Sequence, residues 1–275
     1  MKSWLGIDFS GDHKMWEAGK QKGNVWIAEI TEEHGDKELR RLEPVQALPG
    51  EGSPFQNLVH LLRRREFGAV GIDAPFSVPS EYLPSGGHER LLDLIASLER
   101  PKGWPFPAAS DFICRVLAGR ALLNQKPLRS TEEFWKKRKI NVRSTLWNGP
   151  RPGAQMTLAC LTLLHEAGCP IWPWDRGGPG LLVEAFPAAQ LCHWKMSYQG
   201  YSKDDDSASS TRKLLVSQLS NRIRVGSFAG NLEESADALD AVLCAFAAFA
   251  VTADNLVHPP NADASPGEGL IAVCT

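Results

Sequence analysis

The chain lacks paired cysteine motifs and any hydrophobic run long enough to cross a membrane. Its six cysteines contain no CxxC pair, which argues against a zinc or dithiol redox site and favours reduced, structural thiols. The longest apolar stretch, residues 241–253, is shorter than the roughly 20 residues that a membrane-spanning helix needs. No secretory signal precedes the first predicted strand. We therefore expect a cytoplasmic protein without a membrane partner.

The chain also has little net charge. Its 30 basic and 32 acidic residues give a formal charge of -2, which excludes a uniformly basic surface that coats nucleic acid. Any contact with nucleic acid therefore requires a local basic patch. The hydrophobic fraction of 43% over 275 residues is sufficient for a large core.

Three apolar segments each end in an acidic residue. Apolar residues run directly into Asp8, Asp73 and Glu184, and a glycine or proline follows each acid within three positions. This pattern is typical of a buried strand that ends at a site, although a single aspartate there is often only a turn former or helix cap. Buried carboxylates are unstable unless they are paired, hydrogen-bonded or bound to a metal. Together the three acids predict a shared partner, which we take to be a divalent cation.

A helix near the end of the chain supplies two further acids. From Asn231, a predicted N-cap, the pattern becomes rich in alanine and apolar nearly all round, which predicts a buried helix. Asp237 and Asp240 are three residues apart and share one face of this helix, with Cβ atoms about 5–6 Å apart. That spacing suits one ion site, while stabilisation of the helix dipole is the competing explanation.

The order of predicted elements indicates an α/β protein with a ribonuclease H-like mixed sheet flanked by helices. Three strands are followed by a helix over residues 55–65 and by the fourth strand, which ends at Asp73. The first and fourth strands are neighbours in this arrangement, so Asp8 and Asp73 are expected to meet. We predict a single domain over residues 1–275, with a helical insertion over residues 77–179 between the fourth and fifth strands.

The chemistry of the acids favours Mg²⁺ or Mn²⁺ over zinc, because no cysteine or histidine cluster accompanies them. Two such ions about 3.5–4 Å apart activate water and stabilise the leaving oxygen in phosphodiester cleavage. In this hypothesis Asp8 bridges the two ions, Asp73 holds one from the neighbouring strand, and Asp237 and Asp240 approach from the helix. Glu184 joins the predicted catalytic acids, with a basic or backbone partner as the alternative for its carboxylate.

A segment of basic and aromatic residues within the predicted insertion is the local patch that a nucleic-acid partner needs. Such mixtures hold phosphates and stack bases, although runs of charge are also typical of ordinary solvated surfaces. Residues 198–210, by contrast, are expected to form an exposed polar loop. The predicted nucleic-acid contacts are Lys14, Trp135, Lys136, Lys137, Arg138, Lys139 and Arg143, with Lys22 and Arg151 in the same basic regions.

Four motifs together resemble the DUF429 family. They are GIDFSG at residues 6–11, GIDAPF at residues 71–76, VEAFP at residues 183–187 and DALDA at residues 237–241. The resemblance covers nearly the whole chain and implies a ribonuclease H-like fold and a predicted nuclease.

The order of the acids is also similar to that of the RuvC-type Holliday-junction resolvases. This similarity implies that Asp8, Asp73, Asp237 and Asp240 are the metal ligands. The fourth strand carries aspartate where the resolvases use glutamate, Glu184 has no clear counterpart, and the long insertion is foreign to them. Specificity for junctions is therefore not implied.

Two other classes of function remain open. An actin-like or sugar-kinase-like ATPase also begins with a strand, an aspartate and a Gly/Ser turn, but its second phosphate loop has only poor matches, at residues 177–180 and 226–230. A non-catalytic module could use the tryptophan-rich insertion to hold a ligand, although large aromatic residues mostly fill cores. A module without activity is expected to lose acids, so their retention favours catalysis.

Overall fold

A computed structural model describes residues 2–20, 23–122, 124–150, 152–257 and 267–275. These ranges contain five strands and nine α-helices. The strands are β1 (Lys2–Asp8), β2 (Trp26–Glu33), β3 (Asp36–Pro44), β4 (Ala69–Asp73) and β5 (Leu181–Glu184). The helices are α1 (Pro54–Arg63), α2 (Gly87–Ala96), α3 (Ala109–Leu117), α4 (Ser130–Lys136), α5 (Gly153–Ala167), α6 (Pro187–His193), α7 (Asp206–Leu219), α8 (Ala229–Glu234) and α9 (Ala236–Thr252).

The strands form one mixed sheet in the order β3-β2-β1-β4-β5. The pairs β1–β2 and β2–β3 are antiparallel, whereas β1–β4 and β4–β5 are parallel. The α/β class, the flanking helices and the adjacency of the first and fourth strands are therefore confirmed. Because β1, β4 and β5 run in the same direction, their carboxyl ends lie at one edge of the sheet.

Side-chain alternation along the strands assigns the acids to the two faces of this sheet. Leu5, Ile7 and Ile72 pack in one core with α1 and α5, whereas Trp4 and Ala69 pack in a second core with α9. Successive side chains in a strand point to opposite faces. The α9 face is therefore also the face of Asp8 and Asp73, which lie an even number of residues from Trp4 and Ala69.

Two glycines allow α9 to lie directly against the sheet. A Cβ atom on Gly6 would lie 1.9 Å from the carbonyl oxygen of Ala241, and one on Gly71 would lie 1.9 Å from that of Cys244. Neither distance is possible between real atoms, so both positions require glycine for this close approach. Each glycine precedes its strand's aspartate by two residues and therefore lies on the same face. The close packing thus brings α9 to the aspartates.

The stretch between β4 and β5 contains four helices, α2, α3, α4 and α5, joined by long loops. Phe106, Phe112 and Leu158 from this stretch share the core formed by α1 and one face of the sheet. The boundaries that we predict for a helical insertion, residues 77–179, stay a prediction. None of the helices in the described ranges is long and apolar enough to cross a membrane. All six cysteines are unpaired.

The last predicted helix begins later than the sequence pattern indicates. Asn231 lies inside α8, and the chain bends at Ser235, whose side chain accepts a hydrogen bond from the Ala238 backbone N–H. Ser235 is thus the N-cap of α9, and the predicted cap at Asn231 is wrong. The break places Asp237 in the first turn of α9 and Asp240 one turn further on.

Candidate functional site

The two strand-end aspartates lie next to each other at the carboxyl edge of the sheet. Asp8 and Asp73 are the last residues of the parallel neighbours β1 and β4, and they are direct partners in the register of that pair. Both side chains face α9, as described above. Adjacent parallel strands therefore fix the relative position of the two carboxylates through the backbone.

Helix α9 supplies the third carboxylate. Oxygen atoms of Asp8, Asp73 and Asp240 lie within 4.8 Å of one another. Among the described residues, no other histidine, cysteine, aspartate or glutamate completes a cluster of this kind, so Asp237 and Glu184 lie outside this group. Asp237 is one helical turn before Asp240 and acts electrostatically on all three acids of the group.

The group holds its carboxylates in an environment that disfavours their charges. Burial raises the pKa of Asp8 well above its usual range, and Asp240, Asp73 and Asp237 raise it further. Burial likewise raises the pKa of Asp73 to about 7, although Arg143 opposes this shift. The pKa of Asp240 is raised by burial and by Asp73. A cation bound among these three carboxylates would reduce the repulsion between their charges.

The donor set fits a hard divalent cation. Every donor in the group is a carboxylate oxygen, which Mg²⁺ and Mn²⁺ prefer, and the group has none of the thiolate or imidazole donors that favour zinc. Asp8, Asp73 and Asp240 would hold such an ion, with Asp237 in reach of the same region. The arrangement can therefore concentrate positive charge at the sheet edge, where a phosphate could approach.

Tyr201 and Arg212 support Asp240 and were missed in the sequence. The Tyr201 hydroxyl donates a 2.8 Å hydrogen bond to Asp240 Oδ1. Arg212 Nη1 donates to the Tyr201 carbonyl at 2.6 Å, and its Nε donates to the Glu233 carbonyl at 2.7 Å. Both side chains are buried, with 6% exposure. The expectation of an exposed loop over residues 198–210 is therefore wrong at Tyr201, whose aromatic ring was the available signal for burial. It is also wrong from Asp206 onwards, where α7 begins.

Glu184 lies on the other face of the sheet and binds Arg129. Its Oε2 accepts hydrogen bonds from Arg129 Nη1 at 2.7 Å and from the Phe76 backbone N–H at 3.0 Å. Arg129 is fully buried and also donates to Glu132 Oε1. Leu182 belongs to the core of the α5 face, and Glu184, two residues later, points the same way. The basic and backbone partners considered for Glu184 are thus present, and its predicted catalytic role stays a prediction.

A cavity of about 240 Å³ opens beyond the ends of β4 and β5. Asp73 and Arg143 line it together with the Arg129–Glu184 pair, and Phe186 and Ile271 are among its apolar walls. Arg143 is exposed and acts on the charge of Asp73. The predicted basic residue Arg143 is therefore a neighbour of the acidic group.

The predicted nucleic-acid contacts differ in their exposure. Trp135 is only 2% exposed and packs with Ile140, Ala189 and Val273, so its indole cannot stack on a base and this part of the prediction is wrong. Its position is explained by the short amphipathic helix α4, whose inner face it occupies. The exposed members are Lys14, Lys136, Lys137, Arg138, Lys139 and Arg143. Lys22 and Arg151 lie outside the described residues.

Comparison with known proteins gives one match. A family model described as "Protein of unknown function (DUF429)" matches residues 6–264. Searches of curated protein sequences and of solved structures found no match. The matched range covers nearly the whole chain and includes all five predicted catalytic acids. The chain therefore belongs to the DUF429 family.

Proposed function

We propose that the chain is a divalent-metal-dependent nuclease that hydrolyses phosphodiester bonds of DNA or RNA. The observation that carries this proposal is the group formed by Asp8, Asp73 and Asp240, whose carboxylate oxygens lie within 4.8 Å of one another at one sheet edge. An all-carboxylate group of this size is suited to Mg²⁺ or Mn²⁺. Two such ions supply the Lewis-acid charge that activates water and stabilises the leaving oxygen in phosphodiester hydrolysis.

The chain's own residues have separate tasks in this proposal. Asp8, on the central strand, and Asp73, on the neighbouring strand, would hold the cations from the sheet. Asp240 would hold them from α9, with Asp237 one helical turn before it. Tyr201 orients the Asp240 carboxylate through its hydrogen bond. The exposed Arg143 attracts the substrate phosphate towards Asp73.

The arrangement of the sheet supports a ribonuclease H-like fold as part of the proposal. Three antiparallel strands are followed across the sheet by two parallel ones, in the order β3-β2-β1-β4-β5. The acids lie at the carboxyl ends of the parallel strands, where ligands bind in open α/β sheets. A nucleic-acid partner is consistent with the exposed basic residues 136–139, which form the end of α4 and the turn after it.

Cleavage assays with matched variants test the proposal. Labelled single-stranded, duplex and branched DNA, and RNA, are incubated with Mg²⁺ or Mn²⁺ and with native protein, Asp240→Asn or Asp204→Asn. Asp240→Asn is expected to lower the rate at least about 100-fold, since loss of even an outer partner of a metal ligand costs about 10–100-fold. Asp204 is exposed in a loop, so Asp204→Asn controls for the loss of one negative charge and keeps the native rate.

The same reactions distinguish the proposal from the ATPase class. ATP turnover is followed alongside cleavage. Metal-dependent cutting that is lost in Asp240→Asn and kept in Asp204→Asn supports the nuclease. Hydrolysis of ATP that depends on Asp240, without cutting of any nucleic acid, would replace it with a kinase-like activity. Equal cutting by all three proteins would point to a contaminating nuclease and contradict the assignment.

A further inference from the structure

The cavity beyond the ends of β4 and β5, here called the strand-end cavity, adjoins the acidic group but is a separate space. Asp73 belongs to both, whereas Asp8 and Asp240 do not line the cavity. Its volume of about 240 Å³ is below the roughly 300–1,000 Å³ of pockets that take drug-sized ligands. The size therefore suits one small unit next to the acids rather than a longer segment.

Three charged side chains around the strand-end cavity are ion-paired with one another, and the Arg143 side chain is not ion-paired with any described residue. Arg129 is ion-paired with Glu132 and Glu184, which leaves little capacity in these three side chains to bind a ligand. Within the described ranges, the Arg143 side chain has neither a hydrogen bond nor an ion pair, although it acts on Asp73 at a distance. An incoming anionic group would therefore find its cation at Arg143, beside Asp73.

The remaining walls of the strand-end cavity are mainly apolar. Val142, Met156, Phe186 and Ile271 line it, and the exposed Asn141 adds an amide at the opening. A flat, largely apolar ring with polar edges matches such walls, because its faces pack on side chains while an amide binds its edge. Nucleobases have this character, and they bind aromatic and apolar side chains without strict sequence preference.

We infer that the strand-end cavity binds the nucleoside part of the nucleotide next to the bond that is cut, with its phosphate between Arg143 and Asp73. This inference rests on the proposed nuclease function and specifies its substrate class. A base inside a duplex is stacked and paired and cannot enter a pocket of this size. The substrate is therefore a single-stranded, terminal or extruded nucleotide.

Binding of mononucleotides tests the inference without any cleavage. AMP and CMP are titrated calorimetrically into the native protein in the presence of Ca²⁺, with ribose 5-phosphate and inorganic phosphate as comparison ligands. Both nucleotides are expected to bind at least about tenfold more tightly than ribose 5-phosphate, because only they place a base in the cavity. Val142→Trp fills the cavity from its partly exposed wall and is expected to weaken nucleotide binding about tenfold or more.

A second variant separates the phosphate contact from the base contact. Arg143→Gln is expected to weaken AMP and CMP binding several-fold while leaving adenosine and cytidine unchanged, and Arg90→Gln, at an exposed helical position, serves as its control. Thermal unfolding confirms that each variant is folded, and Asn141→Ala replaces Val142→Trp if the tryptophan prevents folding.

The outcomes for the cavity and for the nuclease are distinguishable. The inference is overturned if mononucleotides bind no better than ribose 5-phosphate, or if the cavity variants bind them as the native protein does, even where nucleic acid is cut. Nucleotide binding that the variants weaken, without cutting of any nucleic acid, supports the cavity site and contradicts the nuclease.

Discussion

Replacing Asp8 with asparagine is expected to raise the melting temperature of the metal-free protein while abolishing its stabilisation by Mn²⁺. Burial and the neighbouring Asp240, Asp73 and Asp237 raise the pKa of Asp8 well above its usual range, so its charge opposes folding at neutral pH. Each tenfold change in a protonation equilibrium corresponds to about 1.4 kcal/mol. A gain in stability of that size corresponds to about 3–6 °C in melting temperature for a domain of 150–250 residues.

The stability of the metal-free protein is expected to fall as the pH rises. A carboxyl group whose pKa is raised on folding stabilises the protein in its protonated form, and this stability is lost as the pH rises through the folded pKa. For Asp73 the loss falls between its ordinary value and about 7. The metal-free native protein is therefore expected to become less stable across this window, and Asp8→Asn is expected to reduce the slope.

With divalent metal bound, the native protein should have a higher melting temperature than Asp8→Asn. Mn²⁺ at about 100 times its dissociation constant stabilises a native site by about 2.7 kcal/mol, and Asp8→Asn should lose this gain because the site loses one of its three carboxylates. Thermal unfolding with and without Mn²⁺, above and below neutral pH, measures both effects. Asp204→Asn is the matched control and should behave as the native protein. If metal-free Asp8→Asn melted at a lower temperature than the metal-free native protein, the Asp8 charge would not be destabilising the folded state.

The second large effect is expected at Arg129, which is fully buried between two carboxylates. Its Nη1 donates to Glu184 at 2.7 Å and its Nη2 to Glu132 at 2.9 Å. Arg129→Met keeps much of the side-chain volume but leaves both carboxylates without their cation. Removing one partner of a buried ion pair costs about 3–5 kcal/mol, so the melting temperature should fall by roughly 6–20 °C.

A double-mutant cycle attributes this loss to the ion pair. Glu184→Gln in the Arg129→Met background removes one buried charge and should recover part of the stability, giving an interaction energy of about 0.5–3 kcal/mol. Arg90→Met removes an exposed arginine whose nearest ion-pair distance to Asp93 is 3.6 Å, and should change stability by less than about 0.5 kcal/mol. Additive effects of the Arg129 and Glu184 substitutions in chemical unfolding would contradict the pairing.

The sequence was informative where local pattern and strand order determine the geometry. Asp8 and Asp73 each follow an apolar run, and their meeting required only that the first and fourth strands be neighbours. Asp240 could be added from its helical spacing with Asp237. These positions follow from periodicity and topology, which a single sequence carries.

The partners of the acids could not be predicted in the same way, because they come from distant parts of the chain. Arg129 is 55 residues from Glu184, and Tyr201 is 39 residues from Asp240. Neither pair is held by a regular element that fixes its spacing. The alternation that separates Glu184 from Asp73 depends on the register of β4 and β5, which the sequence pattern does not specify because β5 is buried on both faces.

Local charge composition misled the interpretation of Trp135. The run of basic residues after it suggests a nucleic-acid surface, but the tryptophan occupies the inner face of α4 and only the cations are exposed. Large aromatic residues beside charges commonly fill a core in this manner. The role predicted for the exposed basic residues in binding nucleic acid stays a prediction.

Asp8, Asp73 and Asp240 are proposed to hold divalent cations, and a Mn²⁺ titration followed by electron paramagnetic resonance tests this assignment most directly. The native protein and Asp204→Asn are predicted to bind two Mn²⁺ ions per chain, with the signal of a spin-coupled pair about 3.5–4 Å apart. Asp8→Asn is predicted to lose the coupled signal. Equal Mn²⁺ binding by native protein and Asp8→Asn, without a coupled pair in either, would contradict the metal site and the function built on it.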